Sequence, residues 1–462
     1  MLVASASCAP PNAELFNLVD GAGYRPPATS IANNSDELFI ALALSGGGTR
    51  AAAFSYGVLR ELDRHSVNMA GDTRSLLDET DLISAVSGGS FTAAHFALFG
   101  KRRLFEEYKK RFLYRNIQLE LITRALNPIN LVRLSLPWFS RSDLAAGFYD
   151  ETIFDGKQFR DMPSKPYVVL NATVMSEGIG FEFTQDQFDI IGSNLATLPV
   201  ARAVAASAAF PFLLTPIALK NYGVKSGPKG PHEPWWLANS ADIGTKTADR
   251  ACYRWARGWK ELENNIEHPY VQLLDGGLAD NLGTRYIARS LLYPTFWLNR
   301  LIQSRTIKKL VLIAVNAQGA PGRAVDKSRQ AGFINTLVAT GSVSMDNYTD
   351  ESINLLERVV NSFRKNPEGG PTYVTEEPDC GRKQTCQCFA QIPWKGNLKV
   401  YLLTVEFDGE HNPEVRRRLE SIGTNFNLKA RDVDFIVDEG AKLLSEHPCF
   451  ELLSRHLSSE GH

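Results

Sequence analysis

The chain has 462 residues, 50 of them basic and 51 acidic, for a net charge of −1; 44% are hydrophobic and 22% charged. That balance matches soluble globular proteins and excludes a disordered chain, which carries fewer apolar residues and more net charge. It also excludes a generic nucleic-acid binder, which needs a basic excess, and a membrane span of ~20 uninterrupted apolar residues, since the longest contender, 200–219, is broken by Arg202, Pro211 and Pro216.

Read from the start, Leu2 to Ser7 ahead of Cys8 resembles the end of a bacterial lipoprotein signal, whose cysteine becomes lipidated. The charged n-region and most of the apolar h-region of such a signal are missing, and Ser5 stands where an aliphatic residue is preferred. Two readings stand: a membrane-associated lipoprotein whose leader lies upstream of Met1, or an ordinary terminus of a cytoplasmic protein. The polar, Pro-rich stretch that follows makes residues 1–35 a flexible lead-in.

Leu38–Leu44 is continuously apolar, which suits a strand buried on both faces. Gly46-Gly47-Gly48-Thr49-Arg50 follows, then a helix-periodic stretch ending near His65. Three glycines let the backbone turn sharply, and the helix N-terminus adds partial positive charge, so the loop suits an anion or a developing oxyanion, with Arg50 adding its charge or bracing the loop. The Lys-Ser/Thr ending of a nucleoside-triphosphate loop and the spacing of a dinucleotide loop are both absent.

A second unit repeats the pattern. Thr80–Val86 reads as a strand, Ser87-Gly88-Gly89 as the turn, and a helix runs to about Phe99. A serine on a sharp strand-to-helix turn is the situation of a nucleophile elbow, although Ala85 stands in place of its first glycine; a plain Ser-Gly-Gly helix start is the simpler alternative. Residues 101–115 then carry seven basic and two acidic side chains, with Phe105, Tyr108, Phe112 and Leu113 at helical spacing. This basic aromatic segment suits either a membrane surface or a solvated charged face.

Strand-like runs continue at Tyr167–Met175, Val271–Leu274, Leu310–Val315 and Leu398–Val405, alternating with helical stretches in a βαβ pattern. Residues 221–268 look like an insertion over one edge of the core, holding Trp235, Trp236, Trp255 and Trp259, which either meet a membrane or pack as a cap. Asp275-Gly276-Gly277 ends the Val271–Leu274 strand and presents a carboxylate with no neighbouring side chains in the way; an ordinary Asp-Gly turn is the bland alternative. Cys380, Cys386 and Cys388 lie close together, but without a second pair or a histidine cluster they favour a disulfide or free thiols, and no metal is expected.

The Gly-Gly-Gly-x-Arg loop, the Ser87 elbow and the later Asp-Gly-Gly, in that order, resemble the patatin-like phospholipases. A fourth segment, Ala205-Ala206-Ser207-Ala208-Ala209-Phe210-Pro211, is similar to an Ala-Ser-x-Ala-x-Pro stretch of that family. The resemblance covers roughly residues 38–315. It implies an α/β three-layer sandwich with a central, mostly parallel sheet, a catalytic core at 36–319 and a C-terminal helical extension, 320–462, completing the same domain. It further implies calcium-independent hydrolysis of carboxylic esters of lipids through an acyl-enzyme, with no cofactor. Ser87 is then the nucleophile, a partly desolvated Asp275 the general base, and Gly46, Gly47 and Gly48 the oxyanion hole, with Arg50, Gly88, Gly89, Gly276 and Gly277 in support. The partner is a phospholipid or other lipid ester, with peripheral membrane contact through 101–115 and 221–268; no oligomeric state follows.

A soluble esterase or thioesterase on the same dyad is the alternative, and a non-catalytic lipid-binding scaffold a more distant one. A histidine-dependent triad is disfavoured: His95 lies on the helix after Ser87, and of the histidines after Asp275 (His411, His447, His456 and His462) none ends an expected strand.

Overall fold

The structure, a computed structural model, describes residues 23–27, 37–69, 72–211, 213–223, 250–293, 296–319, 333–364, 389–392 and 395–459. The chain begins its ordered run with β1 (Leu38–Leu44), α1 (Gly48–Arg64), the antiparallel pair β2 (Ser66–Met69) and β3 (Asp72–Ser75), β4 (Thr80–Val86) and α2 (Gly88–Glu106). Next come α3 (Ile117–Ala125), α4 (Pro128–Leu134), α5 (Arg141–Tyr149), β5 (Tyr167–Val174), β6 (Ile179–Glu182), α6 (Val200–Ser207) and β7 (Ile217–Lys220). The remainder supplies α7 (Arg250–Leu262), β8 (Tyr270–Asp275), β9 (Lys309–Asn316), β10 (Phe389–Ile392), β11 (Leu398–Glu406) and α8 (Ala430–Ser445), among other helices. The fold is α/β, with mixed but mostly parallel strand pairing flanked by helices.

Two compact units divide the chain. The larger comprises Pro26–Asn116, Pro163–Asn171 and Asp280–His462, with strands in the order β10-β11-β9-β1-β4-β5. In that sheet β11, β9, β1, β4 and β5 are parallel and β10 is antiparallel to β11. Every residue of β1, β4 and β9 is buried, which is why β1 and most of β9 read as unbroken apolar runs rather than as an alternation, while β4 buries Thr80, Asp81 and Ser84 as well. Parallel register sends the loops after β1, β4 and β9 out at the same carboxyl edge, where open α/β sheets hold their ligands. The C-terminal segment adds β10 and β11 as well as helices, β11 covering the strand-like run at Leu398–Val405.

Behind β1, α1 packs on α8 with backbones in contact: a methyl group at Gly57 would stand 2.2 Å from the Val437 carbonyl oxygen, and one at Gly440 2.7 Å from that of Phe54. The helix expected to stop near Phe99 breaks its geometry at Gly100, at φ 69°, and resumes to Glu106. Beyond it, Leu104, Tyr108, Phe112 and Leu113 are buried, with Phe112 stacked on Phe91 at 4.3 Å between ring centroids. The segment's cations pair locally: Lys101 with Asp63 and Asp78, Arg103 and Arg111 with Glu107, and Lys109 with Asp434. The basic aromatic segment 101–115 thus buries Tyr108 and Phe112 and pairs at least four of its seven cations with carboxylates.

At the amino end of β4, Asp81 is buried beneath the strand edge, accepting from the Ile40 amide at 2.8 Å and facing Lys165 at 3.3 Å. Burial outweighs Lys165 and the amide and pushes the carboxyl up to about 7. Between pH 4 and pH 7 the folded chain therefore holds a proton that the unfolded chain releases, and this group makes stability fall as pH rises through that window. Urea titrations at pH 5 and pH 8 are expected to show a wild-type loss, on the order of a few kcal/mol, that Asp81→Asn lacks.

The smaller unit comprises Met1–Arg25, Ile117–Met162 and Ala172–Ala279. There Ala172–Val174 of β5 pairs antiparallel with β8, and β8 antiparallel with β7. Helix α3 packs on α5, α5 on α6, and α6 on β8. Of the lead-in, residues 23–27 are described: Tyr24 packs on Phe159, and Arg25 pairs with Asp186 and Asp189. Of the insertion 221–268, helix α7 turns its tryptophans inward: Trp259 lies against Phe181, and Trp255 donates its indole N–H to the Gly180 carbonyl at 3.1 Å. Trp255 and Trp259 are therefore buried and hold α7 against β6, whereas Trp235 and Trp236 lie outside the described residues.

Candidate functional site

In the larger unit, β1 delivers Ser45–Gly48 and β4 delivers Ser87 at the carboxyl edge of adjacent strands. Ser87 is buried and sits at φ 47°, ψ −116°, a backbone conformation that L-residues other than glycine adopt only under strain. The strain has identifiable sources. The Gly89 amide bonds the Ser45 carbonyl at 3.2 Å, pulling α2 tight against β1, while the Asn171 side chain holds the end of β4 by donating to the Ala85 carbonyl at 2.9 Å and to Ser84 Oγ at 3.0 Å.

The two glycine loops touch backbone to backbone. A methyl group at Gly88 would stand 2.1 Å from the Gly48 carbonyl oxygen, and one at Gly46 would stand 3.3 Å from Ser87 Cβ. Gly47 and Gly48 take φ 136° and φ 60°, conformations that explain the glycine run. The Gly46 amide donates to the Asn281 carbonyl at 2.8 Å and that of Thr49 to Asn425 at 2.9 Å. Among the described residues no carbonyl accepts from the amides of Gly47 or Gly48, which lie at the N-terminus of the seventeen-residue helix α1.

Arg50 is buried and braces this loop from behind. Its guanidinium donates to the Ala317 carbonyl at 2.9 Å, to Thr424 Oγ1 at 3.1 Å and to the Ile422 carbonyl. Of the two roles its position in sequence suggests, the contacts are those of a brace.

Asp275, Gly276 and Gly277 belong to the smaller unit, at the end of β8. Asp275 is buried, and its Oδ1 accepts from the Gly277 amide at 2.8 Å. The backbone around it is clamped: the Asp275 amide donates to the Ala209 carbonyl at 3.0 Å, the Gly276 amide to Ser207 at 3.1 Å, and Thr173 Oγ1 to the Asp275 carbonyl at 2.8 Å. Sequence reasoning singled out Ala205–Pro211 without giving it a role; it is this clamp. Asn281, Asn171 and Asn425 went unnoticed, because their contacts come from chain crossings that no local pattern marks.

Three of the described histidines have structural placements. His95 is fully buried against Phe99 and Tyr108, His65 pairs with Glu61 at 3.1 Å, and His456 Nδ1 meets the Tyr401 hydroxyl at 2.8 Å. Among the described residues no group of three or more His, Cys, Asp or Glu side chains could hold a metal ion, and no helix is long and apolar enough to cross a membrane. Cys449 is disulfide-bonded, while Cys380, Cys386 and Cys388 lie outside the described residues, as does Cys8.

A family model described as patatin-like phospholipase matches residues 42–288, a span that takes in both glycine loops, Ser87 and Asp275. No curated protein matches the chain. Among solved structures, the chain is similar to human GIVD cytosolic phospholipase A2 at 12% identity and a TM-score of 0.44, over 92% of this chain and 63% of that one. It is similar also to VipD from Legionella pneumophila at 12% identity and a TM-score of 0.33, over 91% of this chain and 67% of that one. The chain thus spans less than two thirds of the length of the human enzyme. With more than half of its residues inside the family match, the chain belongs to the patatin-like phospholipase family.

Proposed function

We propose that the protein is a lipid ester hydrolase with Ser87 as nucleophile and Asp275 as general base. The observation that carries this reading is the strained backbone of Ser87, held against the Gly46–Gly48 loop in a chain of this family. A serine hydroxyl is a poor nucleophile until a positioned base removes its proton. In the proposed cycle Ser87 Oγ attacks the ester carbonyl carbon as its proton passes to the Asp275 carboxylate. The Gly47 and Gly48 amides receive the oxyanion, each donor worth roughly 3–4 kcal/mol in other enzymes. The Gly46 amide, committed to Asn281, holds the loop in place. Collapse expels the alcohol, which takes the proton from Asp275, and leaves an acyl-Ser87 ester. Water, deprotonated by Asp275, then releases the fatty acid.

The test is labelling with a fluorophosphonate, read by peptide mapping, alongside hydrolysis of phospholipid and of short-chain esters. Ser87 is expected to carry the label, and Asp275→Asn is expected to lower kcat by about a thousandfold or more at little cost in folding. Labelling and turnover that survive Ser87→Ala contradict the proposal. Full activity in Asp275→Asn, with loss in His95→Ala, replaces the dyad by a histidine mechanism. Turnover of short-chain esters alone makes the protein an esterase without a lipid substrate.

A further inference from the structure

The smaller unit carries an apolar surface that the proposed chemistry does not use. Leu119, Ile122, Leu126, Ile129, Val132 and Trp138 are between 51% and 71% exposed, all within one stretch spanning α3, α4 and the turn that follows. Leu119, Ile122 and Leu126 recur at spacings of three and four, so they line one side of α3, while Ile117 is buried. The joint between the helices is built: the Asn127 side chain caps α4 at the Ile129 amide at 3.0 Å, and Asn130 Nδ2 donates to the Arg124 carbonyl at 2.9 Å. At the far end a Ser140–Asp143 capping box fixes the start of α5. The exposed side chains are therefore displayed by a closed helical hairpin.

We propose that this hairpin, Ile117–Trp138, docks the protein on a phospholipid bilayer, aliphatic side chains among the acyl chains and arginines at the phosphates. The inference rests on the lipid ester hydrolase reading, since a lipid ester stays in the membrane and its enzyme meets it there. Residue chemistry selects a bilayer over a protein partner. Protein hot spots favour Trp, Tyr and Arg over Leu and Val, whereas here Leu, Ile and Val dominate. Tryptophan and arginine beside an aliphatic face are the composition of helices that lie in the interface. Charge agrees: between residues 117 and 141 Glu120 is the one acidic side chain, against Arg124, Arg133 and Arg141. The Arg133 guanidinium lies over the Phe139 ring at 4.0 Å and so keeps its charge beside the apolar face, while that of Arg124 lies over Phe148 at 4.7 Å and pairs with Glu151 at 2.8 Å.

The experiment co-sediments the full chain with phosphatidylcholine vesicles, with and without phosphatidylglycerol, and measures p-nitrophenyl butyrate turnover in parallel. Wild type is expected to bind, more tightly to the anionic vesicles, and L126E/I129E/V132E to bind about tenfold or more weakly. Turnover of the soluble ester and the melting temperature are expected to stay unchanged, because all three side chains are exposed. Brominated acyl chains are expected to quench a tryptophan signal that Trp138→Phe removes. Vesicle binding equal in variant and wild type, or absent in wild type, overturns the proposal. A wild-type dimer that the triple variant dissociates, without vesicle binding, assigns the face to a second copy instead. Vesicle binding that responds to the variant, in a protein with no esterase activity, leaves the docking surface standing and removes the hydrolase.

Discussion

Ser87→Gly is expected to abolish ester hydrolysis and, at the same time, to make the protein more stable. The loss, about ten-thousand-fold or more, follows from removing the proposed nucleophile. The gain follows from the backbone at φ 47°, which costs a serine strain that glycine does not feel. Glycine's extra freedom in the unfolded chain offsets part of that relief, leaving a net of about 1 kcal/mol. Ser87→Ala separates the two effects: it is expected to be as inactive as Ser87→Gly but to melt no higher than wild type. Thermal melts of the three proteins, with hydrolysis measured on the same preparations, check the pair. A Ser87→Gly protein that melts below wild type removes the strain from the account.

Gly88→Ala is expected to cause the largest loss of stability among the site's glycines. Its methyl group would meet the Gly48 carbonyl oxygen at 2.1 Å, so one of two backbones has to move. Overpacking of this kind costs about 3 kcal/mol or more when backbone opposes it. Since the displaced backbone carries the Gly47 and Gly48 amides, fluorophosphonate labelling is expected to fall even in the fraction that remains folded. Gly147→Ala is the control. Gly147 is an exposed position in α5 with nothing within 4 Å of the added carbon, and there the same substitution is expected to stabilise by about 0.5–1 kcal/mol.

The strands that position Ser87 were legible because burial on both faces writes itself into sequence. Leu38–Leu44 and Leu310–Val315 needed no periodicity to be recognised, and the glycines after β1 and β4 marked both turns. Short strands left no such trace: β6, β7 and β10 have four residues each, too few to show a period, and β7 takes its partner β8 from about fifty residues further along. The basic segment 101–115 shows the opposite failure. Its charge is visible in sequence, but its acidic partners Asp63, Asp78 and Asp434 come from other elements. The apolar face of α3 and α4 escaped notice because an exposed leucine and a buried one look alike until packing is known.

Arg50 gives the larger unit an unusual dependence on its own far end. Its partners Ala317 and Thr424 lie 267 and 374 residues further along the chain, the second well beyond the region the family model matches. The Asn425 carbonyl that holds the Thr49 amide comes from the same late stretch. Contacts of such sequence separation form late in folding. During synthesis, the loop beside Ser87 therefore lacks the full set of these supports until the chain has grown past residue 425, so maturation of the loop is tied to the late part of the polypeptide. A truncation that keeps Ser87 and both glycine loops but stops before Ile422 has the residues of the proposed site without the frame that shapes them.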